Sequence, residues 1–157
     1  MSDSHGRVRA VAEAIRRFDE LGVEYVIHCG DVGGDGVMQL LAGRPCTFVW
    51  GNTDEPDREL LAYVEELGLP LPGEPPAVLE LEGKRLAVFH GHEPNFPAAL
   101  AHLPVDYLFH GHTHIRRDER IANKRIINPG ALHRANPRTF ATLETETDEL
   151  TYYKVEG

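Results

Sequence analysis

Val105–His114 reads VDYLFHGHTH, and its two halves do different work. Val105–His110 is a short, mostly apolar run, the pattern of a strand buried on both faces. Gly111-His112-Thr113-His114 follows at once and sets two imidazoles, two residues apart, at the C-terminal end of that strand. A lone histidine is usually a hydrogen-bonded structural group. A pair at a strand end, with glycine beside it, is poorly explained as packing.

The same design recurs upstream. Arg85–His90 delivers His90-Gly91-His92, Pro45–Trp50 (PCTFVW) ends at Gly51-Asn52-Thr53-Asp54, and Glu24–Cys29 (EYVIHC) ends at Gly30-Asp31. The chain opens on Asp3-Ser4-His5. Taken singly, several of these are weak signals: Gly-Asp and Gly-Asn-Thr-Asp are common turns, and Ser2, Asp3 or Ser4 could cap a helix that starts near Arg7. Taken together, Asp3, His5, Asp31, Asn52, His90, His112 and His114 supply oxygen and imidazole donors that suit two borderline-hard divalent ions better than a packed core. Every one lies at the end of a predicted strand or just beyond it, where the loops of open α/β sheets converge on one crevice.

Arg7–Leu21 carries Val8, Val11, Ala12, Ile15, Phe18 and Leu21 near helical spacing, with Gly22 to stop it. Gly36–Ala42 and Arg58–Leu67 also read as helices, and Leu69–Pro76 is a Pro- and Gly-rich connection. Beyond it the texture changes to hairpins. Ala77–Leu81 pairs with Arg85–His90 around Glu82-Gly83-Lys84, and Arg116–Ile121 with Arg125–Asn128 around Ala122-Asn123-Lys124. Thr139–Glu144 pairs with Leu150–Val155, and Asn95–His102 is a short helix. Alternating helix and strand followed by hairpins predicts an α/β fold with two layers of sheet and helices outside, in one domain over residues 1–157.

Composition excludes some functions. The formal net charge of −9 argues against a broad electrostatic footprint for nucleic acid. Nine histidines are many for 157 residues, and most fall inside the motifs. Cys29 and Cys46 sit in apolar runs and read as buried free thiols. No apolar run reaches transmembrane length and the N-terminus lacks the apolar region of a signal peptide, so the expectation is a cytoplasmic protein with no membrane partner.

The ordered set, from Asp3 through Asn128-Pro129-Gly130, resembles the calcineurin-like metallophosphoesterase superfamily, and within it the small bacterial and archaeal phosphodiesterases of the YfcE type. The resemblance implies a two-sheet αββα sandwich, in agreement with the layer reading, and two divalent metal ions, for which manganese, iron, nickel and zinc all fit. It implies that Asp3, His5, Asp31 and His114 hold the first ion and Asp31, Asn52, His90 and His112 the second, with Asp31 shared. His92 would lie just outside the ligand set or face the substrate phosphate, and Asp31, Asn52 and His92 would form the catalytic set. The implied reaction is hydrolysis of a small phosphodiester by in-line attack of a metal-bridging hydroxide. Two other readings compete. One is a non-catalytic protein-binding scaffold of the same fold, like the retromer subunit, which would be free to lose donors that are all present here. The other is a metal-dependent nuclease on short nucleic acids, disfavoured by the charge and by the lack of an evident aromatic–basic groove. With no long insertion, the site should be small and open, and homodimerisation would shape its rim.

Two departures from the superfamily carry expectations. Thr53 stands where many members have a histidine that helps protonate the leaving group, a residue the YfcE-type branch also lacks; diesters with good leaving groups should be preferred, with little monoesterase activity. Only Met1 and Ser2 precede Asp3, where members enter from an apolar, normally central strand. The chain therefore reads as an N-terminally truncated domain apparently lacking its first central strand. That predicts a gap between parallel neighbours, and Asp3 and His5 on a loose terminus with a weak or empty first metal site. Among the remaining residues, His28 and His110 should pack in or near the sheet, His102 should end a helix, and Trp50 should join the core. Asp54-Glu55 should orient ligands or cap a helix, and at His133-Arg134 the arginine should meet either a phosphate or a surface salt-bridge partner.

Overall fold

The apolar stripe of the first helix decides how the first layer is built. In the computed structural model, which describes Met1–Gly157, α1 (Val8–Leu21) buries Ala10, Val11, Ala14, Ile15 and Phe18. Val8 and Leu21, expected on that stripe, are exposed at its two ends. The N–H of Gly22 closes the helix on the carbonyl of Asp19. No side chain caps its start, so Ser2, Asp3 and Ser4 are not helix caps.

β1 (Val26–His28) and β2 (Cys46–Phe48) run parallel, joined through α2 (Asp35–Leu41). α3 (Arg58–Glu66) follows, capped by Asp57, whose carboxylate accepts the N–H of Leu60 at 2.8 Å. A second, five-stranded sheet has the order β3 (Ala77–Leu81), β4 (Lys84–Val88), β5 (Tyr107–Phe109), β7 (Lys124–Asn128), β6 (Arg117–Ile121), with α4 (Phe96–His102) on its outer face. β8 (Arg138–Glu144) and β9 (Glu149–Val155) form an antiparallel hairpin that returns to the first layer. The observed ladders are shorter at the first two strands than the apolar runs suggest, because the runs continue into the loops that carry the motifs.

Alternation along the central strands explains why they are apolar throughout. Ala87, Leu108 and Ile126 pack with Ala99 of α4, while Leu86, Tyr107 and Ile127 point the other way and meet Ile27, Leu143 and Leu150 of the first layer. α1 and α2 cover the outer side of that layer through Phe18, Val37, Met38 and Leu41. The result is the expected αββα sandwich. Cys29 and Cys46 are buried and free, and no helix is long and apolar enough to cross a membrane.

The amino end departs from expectation. Met1, Ser2, Asp3 and Ser4 are buried, not loose. They lie beside the end of β1: the Met1 amino group donates to Ile27 O at 2.9 Å, Cys29 N–H to Met1 O at 3.0 Å, Asp3 N–H to Gly30 O at 3.0 Å and His5 N–H to Asp31 O at 2.9 Å. On the other side Leu132 N–H donates to Ser2 O at 3.2 Å. The few residues before the first motif are therefore enough to pin Asp3 and His5. The predicted gap does exist, behind Met1, between β1 and β8. Its neighbours are not parallel: β8 starts beside Ala131 at the site end, with Thr139 N–H on Ala131 O, and so runs opposite to β1.

At the far end an ion cluster ties the two hairpins together. Arg125 makes a bidentate pair with Asp118 at 2.7 and 2.9 Å and reaches Asp148 in the β8–β9 turn at 3.0 Å. Tyr107 donates to Asp148 at 2.6 Å and Arg120 also pairs with it. The Tyr107 hydroxyl, with Arg120 and Arg125, holds Asp148 down at about 2, from a usual 3.8. Arg125 likewise holds Asp118 low. Carboxylates depressed on folding stabilise the fold fully above about pH 4, and that contribution is lost as the pH falls toward 2. Asp148→Asn should lower the melting temperature at pH 7 and flatten its decline between pH 4 and 2, as read by circular dichroism across an acid series.

Candidate metal centre

The donors are assembled by strand ends from both sheets. Asp3 and His5 come from the amino-terminal stub, Asp31 from the loop after β1, Asn52 from the loop after β2, His90 from beyond β4, and His112 and His114 from beyond β5. Asp31 sits between two groups: its Oδ2 lies 3.4 Å from His5 Nε2 and 3.3 Å from His90 Nε2. His114 Nε2 is 3.3 Å from Asp3 Oδ1. Asn52 Oδ1 faces His90 Nε2 at 2.9 Å and His112 Nδ1 at 3.0 Å. Asp3, His5 and His114 offer ligand atoms within 4.8 Å of one another, as do Asp3, Asp31 and His90. All the donors singled out in the sequence are thus brought together.

Proton bookkeeping shows what this cluster can accept. His90 Nδ1 lies 2.8 Å from the carbonyl of Cys29, which can only accept, so Nδ1 carries a proton and the neutral ring presents its lone pair at Nε2. That lone pair faces the oxygens of Asn52 and Asp31, electron-pair donors all. His5 Nε2 is buried without any hydrogen-bond partner. Lone pairs that converge with no proton between them are repulsive unless a cation sits among them, and the oxygen-plus-imidazole set suits divalent transition ions. The residues present therefore fit the ions that the motifs imply.

Backbone strain marks the same residues. Asp3, His5, Asp31, His112 and His114 all have positive φ, between 44° and 70°. Side chains rarely adopt this region, though Asp, Asn and His tolerate it better than most. Two glycines make room for the carboxylates. A Cβ at Gly51 would collide with Asp31 Oδ1 and its backbone nitrogen, and one at Gly111 would collide with Ser2 Oγ and come within 2.5 Å of Asp3 Oδ2.

The surrounding groups orient the donors. Burial opposes the charge on Asp31, but the N–H of Thr53 at 2.9 Å and the Thr53 hydroxyl hold its pKa below the usual carboxylate value. Asp54 accepts N–H groups from Val32, Gly33 and Gly51 at 3.1, 3.0 and 2.8 Å, so it braces two ligand loops and caps no helix. His28 is fully buried; its Nδ1 accepts Gly30 N–H at 3.2 Å and its Nε2 donates to Ser4 Oγ, which donates to Val32 O. Burial, with the nearby Met1 ammonium, keeps His28 far below its usual pKa and neutral. His110 is similarly held to about 4 by burial. His92 is exposed at the rim, its ring 5.3 Å from that of His90. His102 closes α4 and Trp50 packs on Phe48, as expected. His133 lies against His5, ring to ring at 5.0 Å, and accepts from Arg7 Nε at 3.0 Å, while Arg134 is exposed and makes no ion pair.

Comparison with known proteins agrees with this geometry. Residues 1–148 match the family model of the calcineurin-like phosphoesterase superfamily domain. The chain belongs to that superfamily. As a member it is a phosphoester hydrolase. Phosphodiesterase MJ0936 of Methanocaldococcus jannaschii is 27% identical over 154 residues, covering 95% of this chain and 93% of that protein. The solved structure of a novel archaeal phosphodiesterase superposes with a TM-score of 0.85 at 26% identity, over 99% of this chain and 97% of that one. YfcE, a phosphoesterase from E. coli, shares the fold with a TM-score of 0.70 at 23% identity, over 99% and 97% of the two chains.

One residue that shapes the superfamily site here is silent in the sequence. Glu93 is buried and its two oxygens accept the N–H groups of His90 and Gly91, each at 2.7 Å. It fixes the turn that aims His90. An acid next to His92 was the only available signal, and it does not distinguish a buried brace from a solvated side chain. Glu93→Ala should cost about 2–4 kcal/mol in urea unfolding by stranding two buried donors, and should weaken manganese binding about tenfold by calorimetry. Glu93→Gln, which keeps one acceptor, should show roughly half the stability loss.

Proposed function

We propose that the protein is a dinuclear metal-dependent phosphodiesterase that hydrolyses P–O bonds of small phosphodiesters by in-line displacement. The observation that carries this reading is the position of Asp31, whose Oδ2 stands between His5 Nε2 and His90 Nε2 where a carboxylate can be shared. Asp3, His5, Asp31 and His114 would hold one ion, and Asp31, Asn52, His90 and His112 the other. When bound, two such ions supply a nucleophile at neutral pH and neutralise charge on the phosphoryl oxygens. Manganese, iron, nickel and zinc all suit the donor set.

The chain's own residues do the rest. Asp31 is kept anionic by hydrogen bonds from Thr53. Glu93 and the Cys29 carbonyl hold the His90 ring and its tautomer. His92, exposed at the rim, would meet a phosphoryl oxygen of a substrate. Thr53 is exposed and offers only a hydroxyl of ordinary acidity, a poor general acid at neutral pH. That favours diesters whose leaving group needs no proton. Two unpaired buried thiols suit a reducing compartment such as the cytoplasm.

Metal-stripped protein should hydrolyse bis(p-nitrophenyl) phosphate only after manganese, nickel or zinc is restored, and Asp31→Asn should lose about 100-fold or more. A folded, metal-loaded protein without turnover would favour a scaffold instead. Thr53→His should raise p-nitrophenyl phosphate monoester turnover, by up to about 100-fold if the imidazole reaches the leaving oxygen. Unchanged monoester turnover would mean that Thr53 is not what limits it.

A further inference from the structure

Two arginines stand beside the first-ion donors with no carboxylate to pair with, although acidic residues outnumber lysine and arginine by 25 to 16 in this chain. Arg7 comes two residues after His5 and is exposed. Its Nε donates to His133 Nδ1 at 3.0 Å, and it makes no ion pair. An imidazole that accepts from a guanidinium holds it in place but does not neutralise it. The same bond fixes His133: with Nδ1 accepting, the neutral ring carries its proton on Nε2, and no protein group accepts that N–H. Arg134, next in the chain, is exposed and also makes no ion pair.

The loop that carries His133 and Arg134 is docked on the site. Asn128 Nδ2 donates to Gly111 O at 3.0 Å and to Thr113 Oγ1 at 3.1 Å, and its Oδ1 accepts Gly130 N–H at 2.9 Å. The loop after β7 is thereby tied to the one that bears His112 and His114. Farther along, Leu132 N–H bonds Ser2 O, and His114 Nδ1 lies 3.4 Å from Arg134 O. These ties set the His133 ring against His5 at 5.0 Å, with His5 against His114 at 5.5 Å. They also hold Arg134 at a φ of 47°, a conformation rare for arginine. What results beside His5 is a group of donors with no acceptor among them: the free nitrogens of Arg7, His133 Nε2–H and the Arg134 guanidinium. A guanidinium fork matches the oxygens of a phosphate better than any neutral group.

We propose that Arg7 and His133, flanked by Arg134, form a second anion subsite, and that the substrate is a phosphodiester carrying a further phosphate on one of its ester groups. The scissile phosphoryl group would lie at the metal centre and the second phosphate at Arg7. This rests on the phosphodiesterase reading and adds a substrate class to it: ester groups that end in a phosphate are preferred over neutral ones. A carboxylate, with one charge and two oxygens, fills the same donors less completely.

The test uses manganese-loaded protein and two probes, propyl phosphate and 1,3-propanediol bisphosphate, with affinities read by calorimetry. The bisphosphate should bind about tenfold or more tighter than propyl phosphate, because it alone reaches both places. Arg7→Gln should bring that ratio close to one. Arg7→Lys, which keeps the charge and loses the fork, should give an intermediate ratio, and Arg134→Gln should lower it more mildly. Melting temperatures check that each variant is folded; if Arg7→Gln is not, Arg7→Lys decides. Equal affinities for the two probes in the unaltered protein would overturn the proposal, as would a ratio that survives replacement of Arg7. Hydrolysis of bis(p-nitrophenyl) phosphate is measured separately. Loss of that turnover with the affinity ratio intact would count against the phosphodiesterase reading and leave the subsite standing; turnover with a ratio of one would do the reverse.

Discussion

A short parallel zipper between the first residues and the end of β1 is the contact on which the site depends. The bonds from Asp3 N–H to Gly30 O and from His5 N–H to Asp31 O join the first two motifs through backbone alone. They set His5 Nε2 beside Asp31 Oδ2, and Asp3 within reach of His114 and His90. Ser4, between them, points inward and continues the lock through His28 and Val32. Side chains of alternating residues thus serve different ends: Asp3 and His5 face the crevice while Ser4 secures the strand to the core.

The second constraint is electrostatic. Asp3 and Asp31 are buried carboxylates with no lysine or arginine beside them. Burying charge without a cationic partner is costly; the Thr53 N–H reaches Asp31 and the His112 N–H reaches Asp3, and the ionisable side chains nearest them are imidazoles. The fold tolerates this, and tolerates positive φ at most of the donor residues, because backbone hydrogen bonds and braces such as Glu93 and Asp54 over-determine each loop. Strain concentrated on the residues that meet at one point is the pattern expected of a pre-organised site, where the missing compensation is supplied by bound cations.

Both sheets contribute because their strands share an orientation. β4, β5 and β7 are parallel to one another, as are β1 and β2, so the loops after them open at one edge. The amino-terminal stub enters at the same edge and brings Asp3 and His5 to it. The opposite end of the sandwich carries no cluster of carboxylates with imidazoles. There the Arg125, Asp118 and Asp148 cluster fastens hairpin to hairpin instead.

Much of this was legible in the residues themselves. Apolar runs that stop at Gly-Asp, Gly-Asn, His-Gly-His and Gly-His-Thr-His declare buried strands with donors at their ends, because only a buried parallel strand is apolar on both faces and only a tight turn needs the glycine. The helices followed from 3.6-residue periodicity. What the sequence could not decide was anything requiring distance between remote positions. Glu93 as a brace, His28 as a neutral lock on Ser4, and Arg7 against His133 depend on partners far away in the chain or on burial that only packing creates. The amino end shows the division most clearly. Read along the chain, Asp3-Ser4-His5 follows no apolar run of its own, and that reading pointed to a loose terminus. Tertiary structure decided otherwise: β1 and Leu132 offer hydrogen bonds on both sides of Met1–His5, and those bonds outweigh the entropy of ordering so few residues.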